Sequence, residues 1–595
     1  MSPASGPGSA TRTRRRAPPS SSSPRPTRGA LLRHDGGAVD VAAERKTTVV
    51  LYPARALGVG YLSPCDRCSA VDVVVITRRL DTTKPPVPPS ADHPSARTDL
   101  LILSSSSPSS SSSDRSPSTM AKKTTVVLFP GVGVGHLTPM LELANAFLRH
   151  AGGDTLDVAV ALVKPPVMDT GFAATLARAQ STNTAITFHV LPPPPPPPTS
   201  GEPPPPETEE EAFTRMLGFL RAANAPLRDL LRSLPSAKAL VLDMFCADAL
   251  DVAAELAIPA YFFFPSGAAG LAVFLALPST RAATFAAAAS TVLTFHAAPP
   301  LKVADLPQGL DAMLAVADRM PDARGILVNS FDSLEPDAMR ALRDGLCLPP
   351  HRPTPPVYCV GPLVFPGSGG GEEEHECLRW MDTQPDRSVV FLCFGSMGAF
   401  TNTQLAEIAA GFENSGERFL WVIRSSSTAP PGAGEPRDGG GDLDAVLPVG
   451  FRERTEGRGL VLRQWAPQLA VLRHRAAGAF VTHCGWNSTL EGVAAGLPLL
   501  CWPLYAEQRM NRVRIVEDMG LGVEVAMDDD GKVEAEEVEK KVRWVMGESD
   551  EARKLRERAA AARERAAEAV EDGGPSDVAF GEFLKDLFEA CQGKN

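Results

Sequence analysis

The sequence lacks an excess of positive charge and lacks a long apolar run, and each absence excludes a class of protein. Its 595 residues carry a formal net charge of −11 at pH 7. A chain with a net negative charge is poorly suited to bind nucleic acid or an anionic membrane surface. The longest apolar stretch, 258–277, is interrupted by Pro259 and Pro265, so we expect no membrane span.

The sequence also lacks paired cysteines and a secretory signal. Most of its 10 cysteines are scattered through apolar runs, as Cys246 and Cys501 are, which is typical of reduced, buried thiols. Cys65 and Cys68 form a single CxxC pair, whereas a structural zinc site needs further ligands. The start is rich in Ser, Pro and Arg and has no apolar core. We therefore expect a cytoplasmic protein, with a plastid transit peptide as the alternative.

Residues 1–119 differ in composition from the rest of the chain. Residues 1–35 and 82–119 are rich in Ser, Pro and Arg, a composition typical of disorder. Between them, KTTVVLYP at 46–53 nearly repeats KTTVVLFP at 123–130, and Tyr61 stands where the second copy has His136. We interpret the extension as a partial duplicate too short to bury a core. Met120 would then be the functional start; the alternative is a genuine regulatory extension.

From residue 124 onward, short Val-, Leu- and Phe-rich runs alternate with longer Ala-, Leu- and Glu-rich segments. This alternation predicts parallel sheets covered by helices. The predicted strands are 125–129, 157–163, 186–191, 239–243, 260–264 and 325–329, then 388–394, 419–423, 459–462, 479–482 and 499–501. Helices are predicted over 138–149, from 403, over 549–571 and over 576–590.

The predicted fold class is therefore α/β, with two facing Rossmann-like doubly wound domains behind a largely disordered N-terminal extension. The predicted divisions are an extension over 1–119, a first domain over 120–362, a linker over 363–376, a second domain over 377–575 and a C-terminal helix over 576–595 that packs back on the first domain. The proline tract 192–206 and the stretch 425–443 are predicted loops.

The most specific pattern is WAPQLAVLRHRAAGAFVTHCGWNSTLEGVAAGLPLLCWPLYAEQ at 465–508. Along its 44 residues it resembles the signature of the plant secondary-product glycosyltransferases. The resemblance to these family 1 UDP-glycosyltransferases extends over about residues 120–590. It implies the GT-B fold, in which the first domain binds mainly the acceptor and the second mainly the UDP-sugar.

The chemistry of this segment suits a nucleotide sugar. Residues 482–488 follow a strand and open a helix, and the free amides of a helix N-terminus favour a diphosphate. Trp465 offers a flat face to a uracil ring, and Gln468 and Glu491 can bond nucleoside and ribose hydroxyls. Taken singly, such a tryptophan is also compatible with a core position. The resemblance, which also places Trp486 against the sugar, completes the predicted UDP-sugar site as Ser396, Trp465, Ala466, Gln468, His483, Gly485, Trp486, Asn487, Ser488, Glu491, Glu507 and Gln508.

The last two positions of the segment bear on the sugar. Glu507 stands where the family often has aspartate, which is a mild departure. Glutamine at the final position, Gln508, is associated with glucose, whereas histidine there often indicates galactose. The resemblance therefore implies UDP-glucose as a co-substrate, and we expect no cofactor.

His136 is the predicted base for the acceptor hydroxyl. It follows the first strand in the glycine-rich loop 131–136, at the sheet edge where open α/β folds bind ligands. The loop lacks the Lys-Ser/Thr ending of a phosphate-binding loop. Asp243 ends a buried strand, where an unpaired carboxylate is costly, and by resemblance it orients His136. The alternatives are a histidine without a role and an aspartate that only caps the next helix.

We therefore predict a single displacement with inversion. His136 takes the acceptor proton, the oxygen attacks the anomeric carbon, and UDP leaves to give a β-glycoside. The helix amides, His483, Ser488 and Ser396 would meet the leaving charge. No DxD-like acidic pair lies beside the predicted diphosphate site, so no metal is expected.

The acceptor is predicted to be a small, apolar phenolic, with phenylpropanoid, terpenoid and hormone acceptors as the alternatives. Phe245 and Gly135 are the predicted acceptor contacts, and apolar, aromatic surroundings suit a planar ring. Segments 411–421 and 502–508 resemble members that act on flavonoids and chalcones. The alternatives are a C-glycosyltransferase and a non-catalytic UDP-sugar-binding protein. We expect a monomer without a nucleic-acid partner.

Overall fold

The computed structural model describes residues 50–52, 74–76, 123–164, 170–193, 208–286, 288–296, 298–307, 309–364, 375–424, 443–463, 465–528 and 531–593. The expected disorder at 1–35 and 82–119, the Cys65–Cys68 pair, and most of the predicted loops and linker at 192–206, 363–376 and 425–443 lie outside these residues. The chain forms two compact units, Met1–Ser118 and Thr119–Asn595.

The small unit contains two short strands, β1 (Val50–Tyr52) and β2 (Val74–Ile76), which pair antiparallel. The main-unit strands that these segments mirror pair in parallel. The duplicated sequence therefore does not reproduce the pairing of the second copy.

The first sheet of the main unit has seven parallel strands in the order β11-β10-β7-β6-β3-β4-β5. A separate hairpin joins β8 to β9. The strands are β3 (Thr124–Phe129), β4 (Leu156–Val163), β5 (Ile186–Leu191), β6 (Ala237–Asp243), β7 (Ala260–Phe264), β8 (Val292–Leu293), β9 (Leu301–Lys302), β10 (Gly325–Val328) and β11 (Val357–Cys359). The strand order reverses between β3 and β6, so a ligand crevice is expected at their carboxyl ends.

The first sheet is flanked by α1 (Val134–Thr155), α2 (Thr170–Thr182), α3 (Glu209–Ala222), α4 (Asn224–Ser233), α5 (Leu250–Glu255), α6 (Ala268–Ala286), α7 (Leu310–Arg319) and α8 (Pro336–Arg343). Helix α1 begins four residues earlier than the predicted 138, because Gly133 takes a φ of 97° and serves as its N-cap. The prediction of His136 in a loop was therefore wrong; His136 lies in the first turn of α1.

The second sheet has six parallel strands in the order β14-β13-β12-β15-β16-β17. They are β12 (Val389–Cys393), β13 (Arg418–Ile423), β14 (Gly459–Arg463), β15 (Ala477–Thr482), β16 (Leu499–Cys501) and β17 (Gly522–Glu524). Its helices are α9 (Glu376–Asp382), α10 (Asn402–Ser415), α11 (Phe451–Arg454), α12 (Gln468–Arg473), α13 (Trp486–Ala495), α14 (Gln508–Val513), α15 (Ala535–Met546) and α16 (Asp550–Val570), followed by α17 (Pro575–Gln592). In the parts of the chain described above, no helix combines the length and apolar character of a bilayer crossing.

The central strands of both sheets are buried on both faces, as expected for parallel strands that form continuous apolar runs. Strand β7, with the sequence AYFFF, is buried at every position. Its Phe262 and Phe263 point to opposite faces and join two different core clusters. Fully burying one such side chain contributes roughly 1.5–3 kcal/mol to folding. These cores hold the strand ends, and therefore the crevice, in place.

The last helix, α17, packs on the first sheet although it follows the second. Phe580, Phe583 and Leu587 belong to the same core cluster as β3 and β4. The carboxylate of Asp586 accepts a hydrogen bond of 2.7 Å from the Tyr261 hydroxyl and pairs with Arg324. The chain thus crosses between the halves twice, once after β11 and once before α17.

Candidate active site

The carboxyl ends of β3 and β6 bring His136 and Asp243 together. The Nδ1 atom of His136 lies 2.8 Å from Oδ2 of Asp243, whose side chain is fully buried. The other oxygen, Oδ1, accepts a hydrogen bond of 3.0 Å from the Phe245 amide. A Cβ at Gly131 would lie 2.6 Å from the same oxygen, so only glycine leaves room for this arrangement. The carboxylate is therefore both fixed and in contact with the imidazole.

The surroundings of His136 adjust its basicity. Burial disfavours the imidazolium, but the charge and hydrogen bond of Asp243 and the charge of Glu507 outweigh it, so the pKa of His136 is raised above its usual range. A neutral ring that donates its Nδ1 proton to Asp243 keeps Nε2 unprotonated. The His136 side chain remains 22 % exposed. The geometry thus offers a base with one free nitrogen.

Aromatic rings line the side of the site next to the base. The Phe245 ring lies 4.9 Å from the His136 ring, and the Phe213 ring lies 5.1 Å from that of Phe245, edge to face. Phe213 in α3 is packed closely enough that a Cβ at Gly309 would lie 3.0 Å from it. Sequence reasoning missed Phe213, although the apolar face of α3 was available as a signal. The other predicted acceptor contact, Gly135, is exposed and presents its backbone carbonyl.

Across the crevice lies the N-terminus of α13, which follows β15. No side chain caps this helix, whose N-cap is Gly485. The first amides of an uncapped helix are available to an anion, and the helix dipole favours negative charge there. The turn before it is tight, since Cys484 has a φ of 65°, which is unusual for a residue other than glycine. The arrangement suits a diphosphate.

His483 lies beside this helix start, between two glycines. A Cβ at Gly395 or at Gly485 would lie 2.6 Å or 2.4 Å from its Nε2 atom. Its Nδ1 atom is buried and has no hydrogen-bond partner among the described residues, and burial lowers the pKa of His483 to about 4. The ring is therefore neutral near neutral pH and carries one N–H that a ligand can accept from.

The predicted nucleoside contacts lie near the start of α12 and along α13. The Gln468 amide donates to Ser488 Oγ at 2.9 Å and to the Glu491 carboxylate at 2.6 Å. Burial raises the pKa of Glu491 to about 7, with Gln468 and Arg473 opposing the shift. Trp465 is 51 % exposed, which leaves a ring face open for stacking. Sequence reasoning missed His375, whose ring lies edge to face with Trp465 at 5.5 Å.

Two predicted side chains make contacts that the sequence did not indicate. The Trp486 indole N–H donates to the Asn329 carbonyl at 2.7 Å, and the ring packs against Gly267 of the first half. The indole is therefore held by a glycine and a carbonyl across the crevice, and the placement of Trp486 against the sugar stays a prediction. Gln508 is buried, and its Oε1 accepts from the amides of Leu504 and Tyr505, so it shapes the loop before α14.

The remaining predicted residues surround the same helix start. The Asn487 amide donates to the Gly135 carbonyl at 3.0 Å. Glu507 lies near His136, and burial raises its pKa. The carbonyl of Ser396 accepts from Arg424, which sequence reasoning missed. Ala466 is buried. Among the described residues, no three His, Cys, Asp or Glu side chains cluster as metal ligands would.

We expect binding of UDP-glucose to depend on the protonation of Glu491. Since the pKa of Glu491 is about 7, raising the pH from about 6 to about 8 converts an acid into the carboxylate that accepts ribose hydroxyls. The dissociation constant, measured by calorimetry, should fall about tenfold over this range. In Glu491→Gln the dependence should disappear. An affinity of the parent protein that stays constant over this range would contradict this role of Glu491.

Comparison with known proteins identifies the family of the chain. The family model for UDP-glucoronosyl and UDP-glucosyl transferase matches residues 366–551. UDP-glycosyltransferase 88B1 of Stevia rebaudiana is 40 % identical over 476 residues, which cover 77 % of this chain and 98 % of the relative. Anthocyanidin 5,3-O-glucosyltransferase of a Rosa hybrid cultivar is 39 % identical over 471 residues, covering 76 % and 96 %.

A solved structure, that of Phytolacca americana UGT2 complexed with UDP-2fluoro-glucose and pterostilbene, superposes with a TM-score of 0.66 at 31 % identity. The match covers 78 % of this chain and 99 % of that one. Identity at this level, over nearly the whole of each relative, establishes kinship in sequence as well as in fold. The chain belongs to the family of UDP-glucuronosyl and UDP-glucosyl transferases, and its two parallel sheets form the GT-B fold.

Proposed function

We propose that the protein transfers glucose from UDP-glucose to a hydroxyl of a small phenolic acceptor and forms a β-O-glucoside. The observation that carries this proposal is the position of the His136–Asp243 pair beside the start of α13. The two side chains are 2.8 Å apart, and Gly135, next to His136, is hydrogen-bonded to Asn487 in the first turn of that helix. A base and an anion-binding helix end thus face one crevice.

The proposed reaction is a single displacement. Nε2 of His136 accepts the proton of the acceptor hydroxyl as its oxygen attacks the anomeric carbon. Asp243 holds the imidazole in the required tautomer and stabilises the imidazolium that forms. The bond to the diphosphate breaks on the opposite face, so an α-linked donor gives a β-linked product.

The second half supplies the positive potential for the departing UDP. The amides at the start of α13 and the N–H of neutral His483 would meet the diphosphate, with Ser396 and Ser488 as further donors. Preorganised donors of this kind are worth several kcal/mol when charge develops beside them. Because these groups supply the compensation, we propose that no metal and no cofactor takes part.

Donor recognition is assigned to the groups around α12 and α13. Trp465 stacks on uracil, Gln468 bonds the nucleoside, and Glu491 accepts the ribose hydroxyls. Glu507 holds sugar hydroxyls, while Gln508 acts through the loop it shapes. Trp486 is assigned to the sugar or diphosphate through its backbone, because its indole packs against the first half.

Acceptor recognition is assigned to the aromatic side of the crevice. The Phe245 ring packs against the ring of His136, and the Phe213 ring packs against that of Phe245. Such a surface suits a flat ring with one hydroxyl directed at His136. The rose relative is named for anthocyanidin, and the Phytolacca structure contains pterostilbene, which favours a phenolic acceptor here.

We further propose a cytoplasmic monomer divided as 120–362, 363–376, 377–575 and 576–595 behind the extension.

The test is a turnover assay of the full chain with UDP-glucose and a panel of flavonoids and simple phenols. We expect an acid-labile glucoside, with a rate unchanged by EDTA. An acid-resistant product would indicate C-glycosylation, and UDP-glucose binding without any product would indicate a binding protein. A parallel assay of a chain that starts at Met120 should give the same rate if residues 1–119 take no part in the reaction.

A further inference from the structure

Helix α1, which carries His136, has a proline in its interior at position 139. In an α-helix the N–H of each residue donates to the carbonyl four residues earlier. Pro139 has no N–H, and a proline ring also pushes that earlier carbonyl away from the helix axis. The carbonyl released in this way is that of Gly135, the residue immediately before His136.

This released carbonyl has a partner on the other side of the crevice. The Asn487 side-chain amide, in the first turn of α13, donates to it at 3.0 Å. The first turn of the base-bearing helix is therefore joined to the first turn of the anion-binding helix by one direct hydrogen bond.

Two further contacts hold the same region of the second half against the first. Beside Asn487, the Trp486 indole donates to the Asn329 carbonyl at 2.7 Å. Behind it, Arg514 and Glu335 form an ion pair in which both side chains are fully buried. These two contacts hold one side of the α13 start against the first half. The bond from Asn487 to Gly135 holds the other side, next to the base.

We propose that Pro139 is a positioning residue for the transfer reaction. By releasing the Gly135 carbonyl to Asn487, it sets the distance between His136 and the donor held at the start of α13. This inference rests on the proposed function. Displacement of a reacting group by about 1 Å can lower a rate by 10²-fold, so a single hydrogen bond at this place has a large effect on catalysis.

The test compares Pro139→Ala with the parent protein. Alanine restores an N–H that turns the Gly135 carbonyl back along the helix axis and competes with Asn487. We expect kcat to fall roughly tenfold, since one hydrogen bond and its geometry are lost. The dissociation constant of UDP-glucose should stay the same. The melting temperature should be unchanged or higher, because alanine is the better helix former, so a loss of stability cannot explain the loss of rate.

Pro278→Ala is the matched control, since Pro278 lies inside α6 in the same way. Its replacement should leave kcat unchanged. In an Asn487→Ala background, Pro139→Ala should cause no further loss, because both changes remove the same bond. Additive losses in the double variant, or a kcat of Pro139→Ala equal to that of the parent, would overturn the proposal.

Hydrogen exchange tests the link without relying on turnover. In Pro139→Ala the hydrogen-bonded amides of α13 from Thr489 onward should exchange faster than in the parent protein, whereas Pro278→Ala should leave them unaffected. Unchanged exchange at this helix start would refute the link even if no acceptor is turned over. Failure of the parent protein to form any glucoside would instead count against the proposed function.

Discussion

Replacement of His136 by alanine is expected to lower kcat by about 10²–10⁴-fold, the usual contribution of a positioned general base. The imidazole is in hydrogen-bond contact with Asp243, and its pKa is raised. Without it the acceptor hydroxyl must lose its proton to water in a crevice lined by Phe245. The measurement is kcat for glucoside formation at saturating UDP-glucose and acceptor.

The matched control for this prediction is His150→Ala. His150 lies in the same helix, α1, but its ring bonds to Asp577 at the start of α17. Its replacement should leave kcat nearly unchanged, and both variants should bind UDP-glucose as the parent protein does. A His136→Ala protein that keeps more than about a tenth of the parent kcat would show that another group is the base.

Replacement of Asp243 by asparagine is expected to lower kcat by about 10²–10³-fold and to move the acid limb of the pH profile to lower pH. Asp243 raises the pKa of His136, and the base form exists above that pKa, so activity is lost as the pH falls through it. Without the negative charge the pKa falls. An amide can also donate to Nδ1 and leave the proton on Nε2, the wrong tautomer for a base.

The pH profile of kcat from about pH 5 to about pH 9 measures both effects of this replacement. Asp248→Asn is the matched control, because Asp248 lies five residues further on and pairs with the exposed Arg221. Its profile should match that of the parent protein. A fall in kcat for Asp243→Asn without a shift of the acid limb would mean that Asp243 only supports the fold.

The prediction of an α/β, GT-B fold is confirmed. It could be made because buried parallel strands appear in the sequence as continuous apolar runs. Strands 186–191 and 260–264 were predicted with the observed bounds. Strands β11 and β17 were missed, because their segments VYC and GVE lack the apolar run that marks β16 and are defined by pairing with β10 and β16. The start of α1 was misplaced because it depends on the backbone conformation of Gly133, which composition does not reveal.

Site residues on continuous motifs were easier to predict than those that depend on distant contacts. The predicted residues between Trp465 and Gln508 belong to one continuous motif, so their spacing is visible in the sequence. Most of them lie around the start of α13. The direction of the Trp486 indole depends on Gly267 and Asn329, which lie far away in the sequence. Phe213 and His375 were missed for the same reason, since each acquires its role only through a ring brought to it by the fold.

The return of α17 to the first sheet also has a consequence for synthesis. Phe580, Phe583 and Leu587 cover part of the core next to β3 and β4, yet they follow the whole second half in the sequence. This apolar surface of the nascent first half therefore stays exposed while more than two hundred residues of the second half are synthesised. The first half therefore completes its core only after the second half has been synthesised, and a chain truncated before Pro575 is expected to aggregate.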